Sequence, residues 1–275
     1  MDTINLIEKA REIRKDIIEI AYKAQGPSHP APALSCTDIV TALYFKIMKI
    51  DPSNPQWEKR DRFILSKGHA CPVLYSALAE RGYFDKSLLY SVRRINSLLQ
   101  GHPVMGKTPG VDMTSGSLGN GLSIGLGIAV ALKMKQIQSN VFVVLGDGES
   151  QEGEIWEAAM AAPQLGADNL IAIIDYNHLQ SGGKTDEVLS LEPLADKWEA
   201  FGWKVFEMNG HNMEEIVAKL EMAVSFKGRP VVLIAHTVKG KGVSFMENQA
   251  AWHAKIPTQA EYEQAIRELD QTVSF

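Results

Sequence analysis

The sequence predicts an α/β chain built on a doubly wound, mostly parallel sheet. Three observations carry that reading. Apolar runs recur at residues 141–145 (VFVVL), 170–174 (LIAII) and 230–237 (PVVLIAHT). They lack the polar alternation of a half-exposed strand, so both faces of the sheet are covered. Helical stretches separate them, and the first two runs stop abruptly at polar turns, Gly-Asp-Gly and Asp-Tyr-Asn. A single domain spanning residues 1–275 is expected from the length.

Taken in order, residues 3–24 form a helix with Ile4, Ile7, Ile13, Ile17, Ile20 and Ala21 on its apolar stripe. Residues 26–35 (GPSHPAPALS) break it, since three prolines and a glycine oppose regular structure. Ser35 reads as an N-cap, with Asp38 three residues on, for a helix running through Tyr44 and Ile47. Residues 51–60 are a surface loop. Residues 62–70 (RFILSKGHA) read as a short strand ending at His69, and residues 71–81 as the following helix. Residues 98–127 hold eight glycines and no apolar period until Leu122, and a loop this long inside a compact domain is usually functional or disordered. It feeds a glycine-rich helix over 117–134, whose small residues allow close approach by another backbone or a cofactor. Beyond the central unit come a helix (194–200), a strand (203–208), a helix (213–224), the strand at 230–237, a loop carrying His253, and a last helix (260–269).

The chain is organised around residues 146–182. Strand, acidic helix and strand there make one right-handed βαβ unit, so both strands are parallel and both following loops emerge on the same edge. Asp147 and Asn177 therefore face one site although thirty residues separate them. A carboxylate plus an amide oxygen is a partial Mg²⁺ site, to be completed by phosphate oxygens and water. Gly148 lets backbone approach a phosphate, and the helix behind it points its N-terminus at the anion.

Of seven histidines, His29, His69, His102 and His253 lie in Gly/Pro-rich loops that a βα fold gathers at one edge. Grouped around an anion they can hydrogen-bond phosphate and move protons near neutral pH. His211 and His236 lack that context and read as structural. In the helix after GDG, Glu149 and Glu154 suit the helix dipole. Glu157, among Trp156, Ala158 and Ala159, reads as a carboxylate in apolar surroundings, suited to a proton relay.

The formal net charge of −5 and the absence of a clustered Lys/Arg stripe argue against nucleic acid. Cys36 and Cys71 fit no metal spacing or disulfide framework, so a reduced, cytoplasmic setting is expected. Residues 1–25 mix acids and bases on a helical repeat rather than forming a targeting signal, and no membrane span is expected.

The ordered set SKGH, GHP, PGVDMTSGSLGNG, GDGESQEGEIWEA, DYNHLQSGG and HTVKGKGVSF resembles the amino-terminal third of transketolases. It is most similar to the separately encoded N-terminal subunit of split transketolases. GDG with a distal Asn is similar to the thiamine diphosphate signature. The resemblance implies that Asp147, Asn177 and the Leu179 main-chain carbonyl bind Mg²⁺ (or Ca²⁺ or Mn²⁺). It implies His69, Gly116, Gly148, Asn177 and His253 at the diphosphate, and Leu118 near the cofactor's rings. His29 and His102 would face substrate hydroxyls and, with His69, His253 and Glu157, assist proton transfer. Glu152 and Glu157 would lie at the subunit contact, linking paired sites. The implied partner is a second chain carrying the pyrimidine-binding half, in an α2β2 heterotetramer acting on sugar phosphates, with the phosphate-clasping arginines in that other half. Where the family usually has a GHPGA-like turn, this chain has Ser28-His29-Pro30-Ala31-Pro32. Two other readings stand beside this one: a subunit of a thiamine-dependent 2-oxo acid decarboxylase or dehydrogenase, and a binding module of the same fold without turnover.

Overall fold

Five strands, all parallel, form the centre of the computed structural model, which describes residues 2–23, 26 and 28–271. They are β1 (Arg62–Leu65), β2 (Val141–Gly146), β3 (Leu170–Tyr176), β6 (Lys204–Asn209) and β7 (Val231–His236), in the order β1-β2-β3-β7-β6. A short antiparallel hairpin, β4 (Leu179–Gln180) with β5 (Gly183–Lys184), follows β3. The predicted α/β fold with a mostly parallel sheet is thus the one observed.

Successive strand residues are sorted onto two cores. Phe142, Val144, Ile171, Ile173 and Leu233 face one side, against α1 (Thr3–Lys23), α3 (Thr37–Ala42), α4 (Cys71–Glu80) and α9 (Met213–Ser225). Val141, Val143, Leu170, Ala172 and Val232 face the other, against α5 (Asn120–Met134), α6 (Gly153–Gln164) and α8 (Leu194–Ala200). Covering on both faces is why these strands are apolar without alternation. In α5 a Cβ at Gly125 would sit 2.6 Å from a Val143 methyl, so glycine there lets the helix seat close on the sheet. The chain advances from β1 through β3 and then steps back from β6 to β7, with α9 on the face opposite α6. The loops after β2, β3 and β7 therefore meet at the carboxyl edge near a reversal of direction, where ligands bind in such sheets.

Several boundaries differ from expectation. Residues Pro30–Ser35 form a helical turn, α2, rather than an irregular break. Its prolines stand at N1 and N3, where a missing N–H breaks no intrahelical bond. Ser35 ends that turn instead of capping the next helix; α3 starts after Cys36 and runs into a π turn, Leu43–Ile47. On α1, Ile4 is exposed, and Leu6, Ala10 and Arg14 are buried with Ile13 and Ile17; the predicted end at residue 24 lies outside the described residues. The glycine-rich helix begins at Asn120 rather than 117. Strand β1 ends at Leu65, and His69 sits four residues later in a 3₁₀ turn (Gly68–Ala70). The remaining elements fall within two residues of expectation, with α7 (Thr185–Val188) and α10 (Gln259–Gln271) completing the chain.

Candidate functional site

Each loop at the carboxyl edge delivers one part of a single cleft. After β2, Asp147 opens a 3₁₀ turn (Gly148–Gln151); after β3 comes Asn177; after β1, Lys67 and His69; after β7, Lys239 and then His253. The cleft measures about 290 Å³ and is lined by Asp147, Gly148, Asn177, Leu179, His69 and His253, with Leu118 and Glu152 at its rim.

The acidic end has the chemistry of a partial cation site. Asp147 is 3% exposed; its Oδ1 accepts from Gly148 N at 2.7 Å, and its buried Oδ2 has no hydrogen-bond partner. Burial and the nearby charge of Asp175 push the Asp147 carboxyl up to about 6. A buried carboxylate oxygen without a protein partner is one that a bound cation would satisfy. Asn177 Oδ1 accepts from Leu179 N at 3.0 Å and keeps a second lone pair. The Leu179 carbonyl accepts from Lys239 Nζ at 3.0 Å. These three oxygens suit a hard divalent ion, which phosphate and water would complete. Among the described residues no three His, Cys, Asp or Glu side chains converge to hold a metal unaided.

Asn177 is oriented from below. Its Nδ2 donates to Ser35 Oγ (3.1 Å) and Asp175 Oδ2 (3.3 Å). Asp175 is fully buried; its Oδ1 accepts from Ser35 Oγ (2.7 Å) and Thr237 Oγ1 (2.5 Å), and its Oδ2 from Lys67 Nζ. Burial alone would raise the Asp175 carboxyl, but Lys67 more than offsets it; Asp175 in turn keeps the buried Lys67 ammonium above its usual range. Lys67 Nζ also reaches the Pro32 carbonyl at 2.9 Å. Glu149, read from sequence as a dipole partner, is instead buried and accepts from Ser66 Oγ, Gly119 N (3.0 Å) and Gly146 N (3.0 Å). It ties the loops after β1 and β2 to the glycine-rich segment. A Cβ at Gly148 would lie 2.7 Å from Gln180 Cβ, so only glycine lets the turn after β2 pack on the hairpin.

The other end is lined by imidazoles. The rings of His29, His69 and His253 lie 5.1–5.4 Å apart, centroid to centroid. Burial, with His102, Arg93 and Lys239 nearby, pushes His29 down to about 4. Burial, Lys239 and His29 bring His253 to about 3, and burial foremost takes His69 well below its usual value. At neutral pH all three are uncharged, able to accept at one nitrogen and donate at the other. Lys239 donates to the Leu179 carbonyl and lies 3.0 Å from His253 Nδ1; burial and the charge of Lys67 lower it to about 8. His102 is more exposed and stands against Gly116.

The structure therefore brings together most of the residues singled out from sequence. Glu157 is the exception: it is exposed on α6, outside the cleft, because its helical position turns it away from Ala158 and Ala159, which are buried. The apolar surroundings expected for it are absent from this chain. His211 and His236 are paired away from the cleft, with Asp38 (2.9 Å) and Glu207 (2.7 Å). Sequence reasoning missed Lys67, Asp175 and Lys239. Each had a signal: Lys67 and Lys239 closely follow strands inside glycine-containing motifs, and Asp175 is a lone charge at the end of an apolar run.

Residues 4–271 match the family described as the transketolase thiamine diphosphate binding domain. An apulose-4-phosphate transketolase subunit of Phocaeicola vulgatus is 45% identical over 273 residues, covering 99% of this chain and 96% of that one. The 6-deoxy-6-sulfo-D-fructose transketolase subunit SqwG of a Clostridium species is 46% identical over 267 residues, covering 97% of each. Transketolase from Campylobacter jejuni superposes with a TM-score of 0.89 at 30% identity, across 100% of this chain and 44% of that longer one.

Proposed function

This chain belongs to the transketolase family, as a transketolase-type enzyme subunit with the thiamine diphosphate-binding domain, and from that premise we propose that it is the diphosphate-binding half of a two-chain transketolase. In this reading residues 1–275 form one domain that binds thiamine diphosphate and Mg²⁺. Together with its partner chain it transfers a two-carbon ketol unit from a ketose to an aldose, both as sugar phosphates, in the cytoplasm. Among the described residues no helix is long and apolar enough to cross a membrane.

The observation that carries the proposal is the meeting, in one cleft, of an orphaned buried Asp147 oxygen with Asn177, the Leu179 carbonyl, Lys239 and neutral histidines. Asp147, Asn177 and Leu179 would hold the metal through oxygen. Lys239, His69, His253 and the backbone at Gly148 would meet the diphosphate, with Gly116 beside His102 and Leu118 against the rings. When bound, thiamine diphosphate would supply the nucleophilic and electron-accepting chemistry for carbon–carbon bond exchange. His29, His69, His253 and His102 then hold and move protons at the substrate's hydroxyl and carbonyl oxygens, which uncharged imidazoles do in both directions. Several such donors and acceptors suit a polyhydroxylated sugar better than a 2-oxo acid.

Three relatives of nearly the same length are named as subunits, whereas this chain spans 41–44% of the longer transketolases it superposes on. A second chain is therefore expected to bring the missing half, and two copies of each would make a heterotetramer. The exposed apolar positions Leu118 and Ile124 near α5 and Met160 on α6 offer the buried contact, with Glu152 and Glu157 alongside. The test is to assay ketol transfer by the purified chain with Mg²⁺ and thiamine diphosphate, then add the partner. Turnover is expected only from the pair; full turnover by this chain alone overturns the proposal. A donor panel of ketose phosphate, pyruvate and a 2-oxo acid with an electron acceptor separates it from decarboxylase and dehydrogenase chemistry.

A further inference from the structure

Outside the cleft a cation, Arg93, stands beside the loops that carry His29 and His102. Arg93 is half-buried, and among the described residues no carboxylate or carbonyl accepts a hydrogen bond from its guanidinium. Its backbone has φ +66, a left-handed conformation that L residues rarely adopt. The segment is held there from both sides. Arg93 N donates to Leu99 O at 2.9 Å, and Val92 and Leu99 are buried in a small core with Ile20, Tyr75 and Leu89. The side chain runs over two glycines that leave room for it. A Cβ at Gly101 would be 3.0 Å from Arg93 Nη1, and one at Gly26 would be 3.9 Å from Nε. Gly101 immediately precedes His102, and Gly26 lies in the loop that leads to His29. The charge reaches His29 and His102. With Gly101 and Gly26 beside it, Arg93 thus flanks the loops that carry those two histidines.

We propose that Arg93 is a specificity-determining residue of this chain, binding the terminal oxyanion of the sugar substrate. A guanidinium without a counter-charge presents a fork of donors matched to a tetrahedral phosphate or sulfonate. A strained backbone kept at such a place, where glycine would relax it, indicates that the side chain is retained for a ligand rather than for the loop. The assignment rests on the ketol-transferase reading, and adds to the anion contacts expected from the other half.

The test uses the assembled enzyme, both chains with Mg²⁺ and thiamine diphosphate, and three donors on one carbon skeleton: fructose 6-phosphate, 6-deoxy-6-sulfofructose and fructose. Arg93→Gly removes the guanidinium and suits φ +66, so the cofactor-free variant should melt no lower than wild type. The KM for the anionic sugars is expected to rise at least about tenfold, with kcat little changed and fructose unaffected. Arg93→Lys should recover part of that loss, and comparison of the phosphate and sulfonate arms tells which oxyanion is favoured. Equal changes for all three sugars, no change for the anionic pair, or a destabilised Arg93→Gly chain overturns the assignment. Absence of turnover by wild type with every sugar sinks the transferase reading itself, a different outcome from turnover with unaltered discrimination.

Discussion

Asp175→Asn is the sharpest probe of how the site is built. Asp175 and Lys67 are fully or nearly fully buried and joined by an ion pair beneath the cleft. The amide is nearly isosteric, yet in neither orientation does it replace the charge that faces Lys67. With the amide oxygen towards Ser35 and Thr237, its NH₂ faces Lys67 Nζ and Asn177 Nδ2, both donors. Turned over, it faces the two hydroxyls and still supplies no charge. Lys67 is left buried without a counter-charge, a loss of about 3–5 kcal/mol. For a chain of this size that lowers the melting temperature by roughly 5–9 °C. Lys67→Met removes the opposite charge and is expected to cost a similar amount. The double variant removes both charges and should lose about 1 kcal/mol or more less than the sum of the single losses. Urea melts of the cofactor-free chain measure all three. If the two single losses add to within about 0.5 kcal/mol, the groups act independently and the account of a coupled support beneath Asn177 is wrong.

Other outcomes follow from the same contacts. Asp147→Ala should abolish Mg²⁺-dependent thiamine diphosphate binding in calorimetric titrations with little change in the melting temperature of the cofactor-free chain, since the bond lost from Gly148 N is offset by removal of a buried, partnerless oxygen; wild-type affinity in that variant counts against the metal assignment. His253→Ala should weaken cofactor retention or turnover while changing the stability of the cofactor-free chain by less than about 1 kcal/mol; a large stability loss with unchanged kinetics makes it a packing residue. For Asp38, burial opposes the carboxylate, but Arg14 (2.7 and 2.8 Å) and His211 hold it down at about 2. A carboxyl lowered by folding contributes stability that is full above about pH 4 and is lost as pH falls towards 2. Asp38→Asn should therefore cost about 3–5 kcal/mol near neutral pH and progressively less in acid; a cost independent of pH excludes the ion pair as its source.

Much of this protein is local and was legible in the chain alone. Continuous apolar runs of strand length that stop at turn residues read as doubly covered parallel strands, and a parallel βαβ unit must place Asp147 and Asn177 on one edge. The glycine-containing loops and their histidines mark the same edge. What periodicity could not decide was which neighbours arrive from far along the chain. Ser35 looks like a helix cap until the fold sets it under Asp175 and Asn177, and Asp175 looks out of place in an apolar strand until Lys67 arrives from 108 residues away. The prolines at 30 and 32 read as breakers because their tolerance in a first turn depends on where the turn begins. Glu149 and Glu157 show the same limit most directly. Both are carboxylates in or just before one helix, and the sequence alone determined only that they would be there. Tertiary packing buried the one read as a helix-dipole partner and exposed the one predicted to be enclosed, because burial depends on which face of a short segment meets Ser66 and Gly119 from other loops.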